Sequence, residues 1–152
     1  MALAARDSRG ERVFDAVQAT WNLLEQSAGE ALLEAHRQGL SVIIKEGVAN
    51  GRLTARGTMP HLKGRIETLA ETAKRLGTTP DAVALAAVLA QPFSPMVLSG
   101  ATTSEQLDQN LGAARGVAER LMSDPALLQT LLEQMRQAPQ EYWADRGALA
   151  WN

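Results

Sequence analysis

The chain has 152 residues, 45% of them apolar and 21% charged, with 15 basic against 17 acidic groups for a net charge of −2. That profile describes one folded domain with a real core, and no stretch of Lys and Arg interleaved with aromatics suggests a nucleic-acid partner. With no cysteine and two separated histidines, disulfides, thiolate zinc sites and a Cys nucleophile are excluded and metal chemistry has little material. The absence of a signal-like start or of an apolar run long enough to span a bilayer points to a cytoplasmic protein without a membrane partner.

A polar segment, residues 1–12, precedes a folded domain expected over residues 13–152. Residues 13–19, VFDAVQA, mix β-branched and aromatic side chains and predict a short buried strand. Ser27 followed three places on by Glu30 has the form of a capping box, and Ala28, Ala31, Leu32 and Ala35 then recur along one helical face until Gly39. Leu40 to Ile44 form a second apolar run, as expected of a parallel strand buried on both faces.

A polar loop through Gly51, Gly57, Pro60 and Gly64 leads to Ile66, Leu69, Ala70, Ala73 and Leu76, a helix stopped by Gly77. Thr79 and Pro80 then supply an N-cap and a first-turn proline for a helix over residues 81–90, whose run AVALAAVLA is apolar nearly all round and implies burial on several sides.

Residues 95–99, PMVLS, predict a third strand running through Gly100-Ala101-Thr102 into a helix start at Thr103 to Gln106. Strand, small-residue turn and helix N-terminus together suit an anion, because free backbone N–H groups and the helix dipole both favour negative charge. A tight connection with no ligand has the same appearance. A further helix is expected over residues 124–137, capped by Ser123, and the aromatic-rich tail YWADRGALAWN should pack back onto the body.

Alternating strands and helices predict parallel βα units, yet three units of roughly 30 residues fall short of a closed barrel of about 250. The ordered series VQxxxN, VIxKExxANGRLT and SGATxxEQLxxN, with the closing YWADRGALAWN, resembles the last three βα units of the aldo-keto reductases, from Val13 to the end. The resemblance implies an α/β fold, a partial (βα)8 TIM barrel carrying C-terminal helices. It also implies an oxidoreductase segment: in that family NADP(H) lies across the C-terminal mouth of the barrel, and hydride passes between nicotinamide and a carbonyl.

Carried over position by position, the resemblance makes Gln18 a partner of the nicotinamide carboxamide, which a side-chain amide suits by both donating and accepting. A buried Gln satisfied by backbone is the alternative. Lys45 falls where relatives place a side chain stacking on the nicotinamide, followed by backbone contacts matched by Glu46 and Val48; a solvated Lys at a strand end is the plain alternative. Gly100, Ala101 and Thr102 match the loop that carries the adenosine-side phosphate, and Gln106 and Asn110 match helix positions that touch the 2′-phosphate and adenine. Many relatives offer Lys or Arg there. Their absence removes a charge-assisted grip on a 2′-phosphate and leaves open whether NADP(H) or NAD(H) is the cofactor.

The family's catalytic Asp, Tyr, Lys and His come from the first half of the barrel, and none of those segments occurs in this sequence. Tyr142, His36 and His61 read as packing or surface groups, so no catalytic residue is expected. Two functions follow. One is a nicotinamide-linked oxidoreductase segment, competent only when a chain bearing the N-terminal half-barrel supplies the proton donor. The other is a non-catalytic half-barrel that binds a dinucleotide or a protein. Exposed strand edges imply pairing with itself, pairing with such a partner chain, or a chain that is a fragment of a longer protein. A Rossmann or flavodoxin arrangement is disfavoured, because Gln18 to Leu24 contain no glycine for a phosphate fingerprint.

Overall fold

The protein is described here by a computed structural model covering residues 5–57 and 59–150. It is an α/β structure around one small parallel sheet in the order β1–β2–β3, formed by β1 (Ala16–Thr20), β2 (Ser41–Lys45) and β3 (Met96–Val97). Helix α1 (Gly29–Arg37) joins the first two strands, and α2 (Lys63–Leu76) with α3 (Pro80–Leu89) join the second to the third. Three helices follow: α4 (Ser104–Ser123), α5 (Pro125–Met135) and α6 (Pro139–Gly147).

Helix punctuation follows local chemistry. Gly77 ends α2 at φ 65°, where the left-handed turn lets its own N–H and that of Thr78 return to the Lys74 and Ala73 carbonyls. The Thr79 hydroxyl accepts the Ala82 N–H at 3.4 Å and opens α3. Residues 82–88 of α3 are all buried, as an apolar circumference requires, with α3 wedged between the sheet and helices α2 and α4.

Two expected caps are corrected. The Ser27 N–H and hydroxyl both turn back to the Glu25 carboxylate, so α1 starts from Ala28 with no side-chain cap. The expected helix over residues 124–137 runs only over Pro125–Met135, and its cap is Asp124, whose carboxylate accepts the Leu127 N–H at 3.0 Å; the Ser123 hydroxyl instead donates to the Glu119 carbonyl at the end of α4.

The strands are also shorter than expected. Pairing begins at Ala16 opposite Ser41, leaving Val13 and Phe14 exposed ahead of β1. The third strand keeps only two paired residues, for it meets β2 alone and Ser94 before it adopts a left-handed φ of 46°.

Register explains the sheet's two faces. Val42 and Ile44 are buried, and Val17, Ala19 and Val97 pack with them against Trp21, Leu32, Val88 and Phe93 under the helices. Trp21 and Phe93 meet edge to face at 6.0 Å. Side chains alternate along a strand, so Gln18, Ile43 and Met96, aligned by the register, point the other way. Gln18 is exposed, Ile43 half-buried and Met96 63% exposed. Burial of β2 on both faces is therefore corrected: its helix side is closed and its other side is open.

The tail does fold back. Helix α6 buries Tyr142 completely while leaving Trp143 exposed, and the expectation for Trp151 falls outside the described residues, as does that for residues 1–4.

Candidate functional site

Beyond the C-terminal ends of β2 and β3 lies a cleft of about 860 Å³. One wall is the segment after β2, residues 46–57; the other is the connection from β3 into α4, with Leu149 after α6 at the margin. The first wall turns sharply because Glu46, Ala49 and Asn50 adopt φ of 60°, 50° and 55°, conformations that cost a non-glycine residue energy and are held by surrounding bonds. Those bonds are tight turns: the N–H groups of Ala49, Gly51 and Leu53 reach the carbonyls of Glu46, Val48 and Val48. Gly57 closes the loop where its Cα approaches the Arg52 carbonyl so closely that a Cβ would lie 2.3 Å from that oxygen.

Helix α6 clamps the start of this wall. Arg146 donates to both carboxylate oxygens of Glu46, at 2.6 to 3.0 Å, and the Tyr142 hydroxyl donates to the same carboxylate at 3.2 Å. The Asn22 amide, just past β1, donates to the Tyr142 oxygen at 2.9 Å and to the Glu46 carbonyl at 3.0 Å. Burial works to raise the Glu46 carboxyl, but Arg146, with Tyr142 and Lys45, outweighs it and holds the group below the usual carboxylate range. Burial pushes the Tyr142 hydroxyl up to about 12, with the Glu46 carboxylate acting in the same direction. Tyr142 stays a neutral structural group.

The second wall is ordered by its own side chains. The Thr103 hydroxyl accepts the Gln106 N–H at 3.2 Å and caps α4, while the Gln106 side-chain oxygen accepts the Thr102 N–H at 2.9 Å. The Ser99 hydroxyl accepts the Ala101 N–H at 3.2 Å. An anion using those two N–H groups must therefore displace Gln106 and Ser99. Gly100, at φ 66° and with open space where a Cβ would stand, leaves its backbone accessible. Glu105, in the first turn, has its carboxyl held below the usual range by its own backbone N–H and by Thr103, as the positive end of a helix dictates.

Of the positions singled out in the sequence, Glu46, Val48, Gly100, Ala101, Thr102, Gln106 and Asn110 all line this cleft. Gln18 and Lys45 do not; by strand alternation both belong to the open face of the sheet, Lys45 at the end of β2 opposite Thr20. Gln18, two residues before the end of β1, and Gly100, just beyond β3, lie toward the same edge of the parallel sheet. His36 is exposed on α1, and His61 meets Asp145 of α6 at 2.8 Å.

The sequence reading passed over Arg52 and Arg56, which also line the cleft. Arg56 is exposed, and Arg52 is 4% exposed with its guanidinium 4.2 Å from the centre of the Tyr142 ring. A signal for Arg52 existed in the string ANGRLT, where a charged residue stands directly before Leu53 inside a recognised motif, but its stacking partner lies ninety residues away in the chain. A second groove, about 600 Å³ between α2, α4 and α5, carries none of the singled-out residues.

Comparison with known proteins places this geometry. A model of the aldo/keto reductase family matches residues 3–119. The chain is similar in fold to an aldo-keto reductase from Bacillus halodurans, AKR11C1, solved in its holo form, with 19% identity and a TM-score of 0.56 over 76% of this chain. It covers 42% of that chain, so the open three-stranded sheet corresponds to part of a barrel. No curated protein matches the sequence.

Proposed function

This chain belongs to the aldo/keto reductase family, and from that premise we propose that it is the nicotinamide-dinucleotide-binding portion of an NAD(P)(H)-dependent oxidoreductase. The observation that carries the reading is the convergence of Glu46, Val48, Gly100, Ala101, Thr102, Gln106 and Asn110, drawn from two separate segments, on one cleft at the C-terminal edge of a parallel sheet. Ligands of parallel α/β structures bind at that edge.

The cleft suits a dinucleotide in three respects. Arg52 and Arg56 supply cationic groups, the α4 N-terminus favours an anion, and Gly100 lets a phosphate approach the backbone. Gln18 and Lys45, on the adjoining open face, are assigned to the nicotinamide end. In a complete barrel that cofactor supplies or accepts the hydride. What these residues do is bind and orient it; the proton donor belongs to segments not found among these 152 residues. Carbonyl–alcohol hydride transfer is accordingly assigned to this chain only in combination with a chain bearing the other half-barrel, in the cytoplasm. Among the described residues no helix is long and apolar enough to cross a membrane.

The second reading, a half-barrel that binds dinucleotide or protein without catalysis, is favoured by the fully buried setting of Tyr142, which stands under Asn22 and Glu46 and offers no proton to a substrate. Incubating the purified chain with NADPH or NADH and a panel of aldehydes separates the two. No oxidation by the chain alone, and oxidation on adding the N-terminal half-barrel, supports the first; turnover by the chain alone overturns the division of labour.

A further inference from the structure

Arg52 presents hydrogen-bond donors that the described protein does not answer. Its Nε donates to the Ala49 carbonyl at 2.9 Å, and one face of the guanidinium lies against the Tyr142 ring at 4.2 Å. Nη1 and Nη2 are buried and have no hydrogen-bond partner among the described residues. Four N–H donors on a cation are thus left unpaired in a side chain only 4% exposed. The Asp145 carboxylate offsets part of the charge without hydrogen-bonding to it, and burying unsatisfied donors opposes folding. A residue chosen for packing alone would be apolar here, as Leu53 beside it is.

Position narrows the role. Arg52 lines the cleft together with Gly100, Ala101 and Thr102, a loop that itself contains no Lys or Arg. We propose that Arg52 is the principal anion-binding group of this cleft and takes an oxyanion of the phosphate class, in-plane, through Nη1 and Nη2. Planar forked donors match phosphate oxygens bidentately. Both nitrogens are buried, so the anion reaches them only with a local rearrangement around the Arg52 side chain. On the α6 side the described counter-charge is Asp145, which also meets the half-exposed His61 at 2.8 Å. Trp143, edge-on to Tyr142 at 5.3 Å, lies beside the ring on which Arg52 stacks and serves as the reporter.

The inference rests on the dinucleotide reading only for the carrier of the phosphate; a free phosphate ester would present the same chemistry. The test is a set of titrations of the whole chain with inorganic pyrophosphate, NADPH and NADH, followed by calorimetry and tryptophan fluorescence, for the natural sequence, Arg52→Met and Arg52→Lys. The expected result is a pyrophosphate affinity at least ten-fold weaker in Arg52→Met and partly restored in Arg52→Lys. The melting temperature of Arg52→Met without ligand should equal or exceed that of the natural chain, because an apolar side chain of similar length removes the unsatisfied buried donors; a purely structural arginine would lower it.

Equal pyrophosphate affinity in all three proteins overturns the inference. Pyrophosphate binding that depends on Arg52, without binding of either dinucleotide, upholds the anion site and removes the dinucleotide reading. Dinucleotide binding unchanged by Arg52→Met does the reverse. If Arg52→Met does not fold, the Arg52 Nε–H resonance of the natural chain decides: a saturable shift with pyrophosphate supports the site, and an unmoved resonance overturns it.

Discussion

The side-chain amide of Asn22 donates to the hydroxyl oxygen of Tyr142 at 2.9 Å, tying the end of the first strand to the last helix across 120 positions of sequence. Through Tyr142 the same contact reaches Glu46, and so the wall of the cleft is fixed by a helix remote from it in the chain.

Removing the hydroxyl alone tests that link. Tyr142→Phe leaves the Asn22 donor without its buried partner and should cost about 1–2 kcal/mol. Tyr142→Ala also opens a cavity beneath α6 and should cost about 3–5 kcal/mol. Urea denaturation measures both, and a Phe variant as stable as the natural chain would show that the hydroxyl contributes nothing net.

Acid should loosen the same region. Glu46 and Asp145 both have carboxyl groups held below the ordinary range, Glu46 against the effect of burial by Arg146, and Asp145 against burial by Gln137 and His61. A depressed folded value means that the folded state holds its proton less tightly, so the stabilisation is full above the ordinary value of about 4 and is lost as pH falls through the folded values. Tyr142, raised to about 12, has the opposite sense: its contribution is complete below about 10 and disappears as pH climbs through its folded value. Denaturation midpoints from pH 7 down to 3 should therefore fall, and by less in Asp145→Asn; a flat profile contradicts this.

Gly57→Ala should destabilise the chain by about 1–3 kcal/mol, because the new Cβ would meet a backbone oxygen that cannot rotate away. Gly64→Ala, which meets nothing within 4 Å, is the control. Equal melting temperatures for the two variants would show that the loop rearranges freely.

These particulars mark how far the sequence alone reaches. Thr79–Pro80, Gly77 and the apolar circumference of α3 were legible because each depends on neighbours within one turn of helix. So were the three parallel strands and the cleft positions of Glu46, Val48, Gly100, Ala101 and Thr102, once the ordered motifs were recognised. Ser27 was misjudged since Glu25, equally close, offers a stronger acceptor. The fate of Arg52, Asn22 and Tyr142 depends on contacts across the whole chain, which no periodicity records. The open face at Gln18 and Met96 was foreshadowed only as strand edges; that a face rather than an edge lacks cover follows from the register.

That open face carries an expectation of association. Met96 at 63% exposure, with Leu98 beside it and Leu107 and Leu111 on the first turns of α4, leaves apolar surface uncovered. The chain alone should self-associate with rising concentration, and Met96→Lys with Leu111→Glu should shift it toward monomer; light scattering showing a monomer at all concentrations with a cooperative melt contradicts the expectation.

The central claim, that the two walls after β2 and β3 together receive a nicotinamide dinucleotide, is tested most directly by following backbone amide resonances during titration with NADPH and NADH. Saturable shifts concentrated in residues 46–57 and 99–110, with Gln18 and Lys45 moving in step, are the predicted result. No saturable shift, or shifts confined to the groove between α2 and α4, would contradict it.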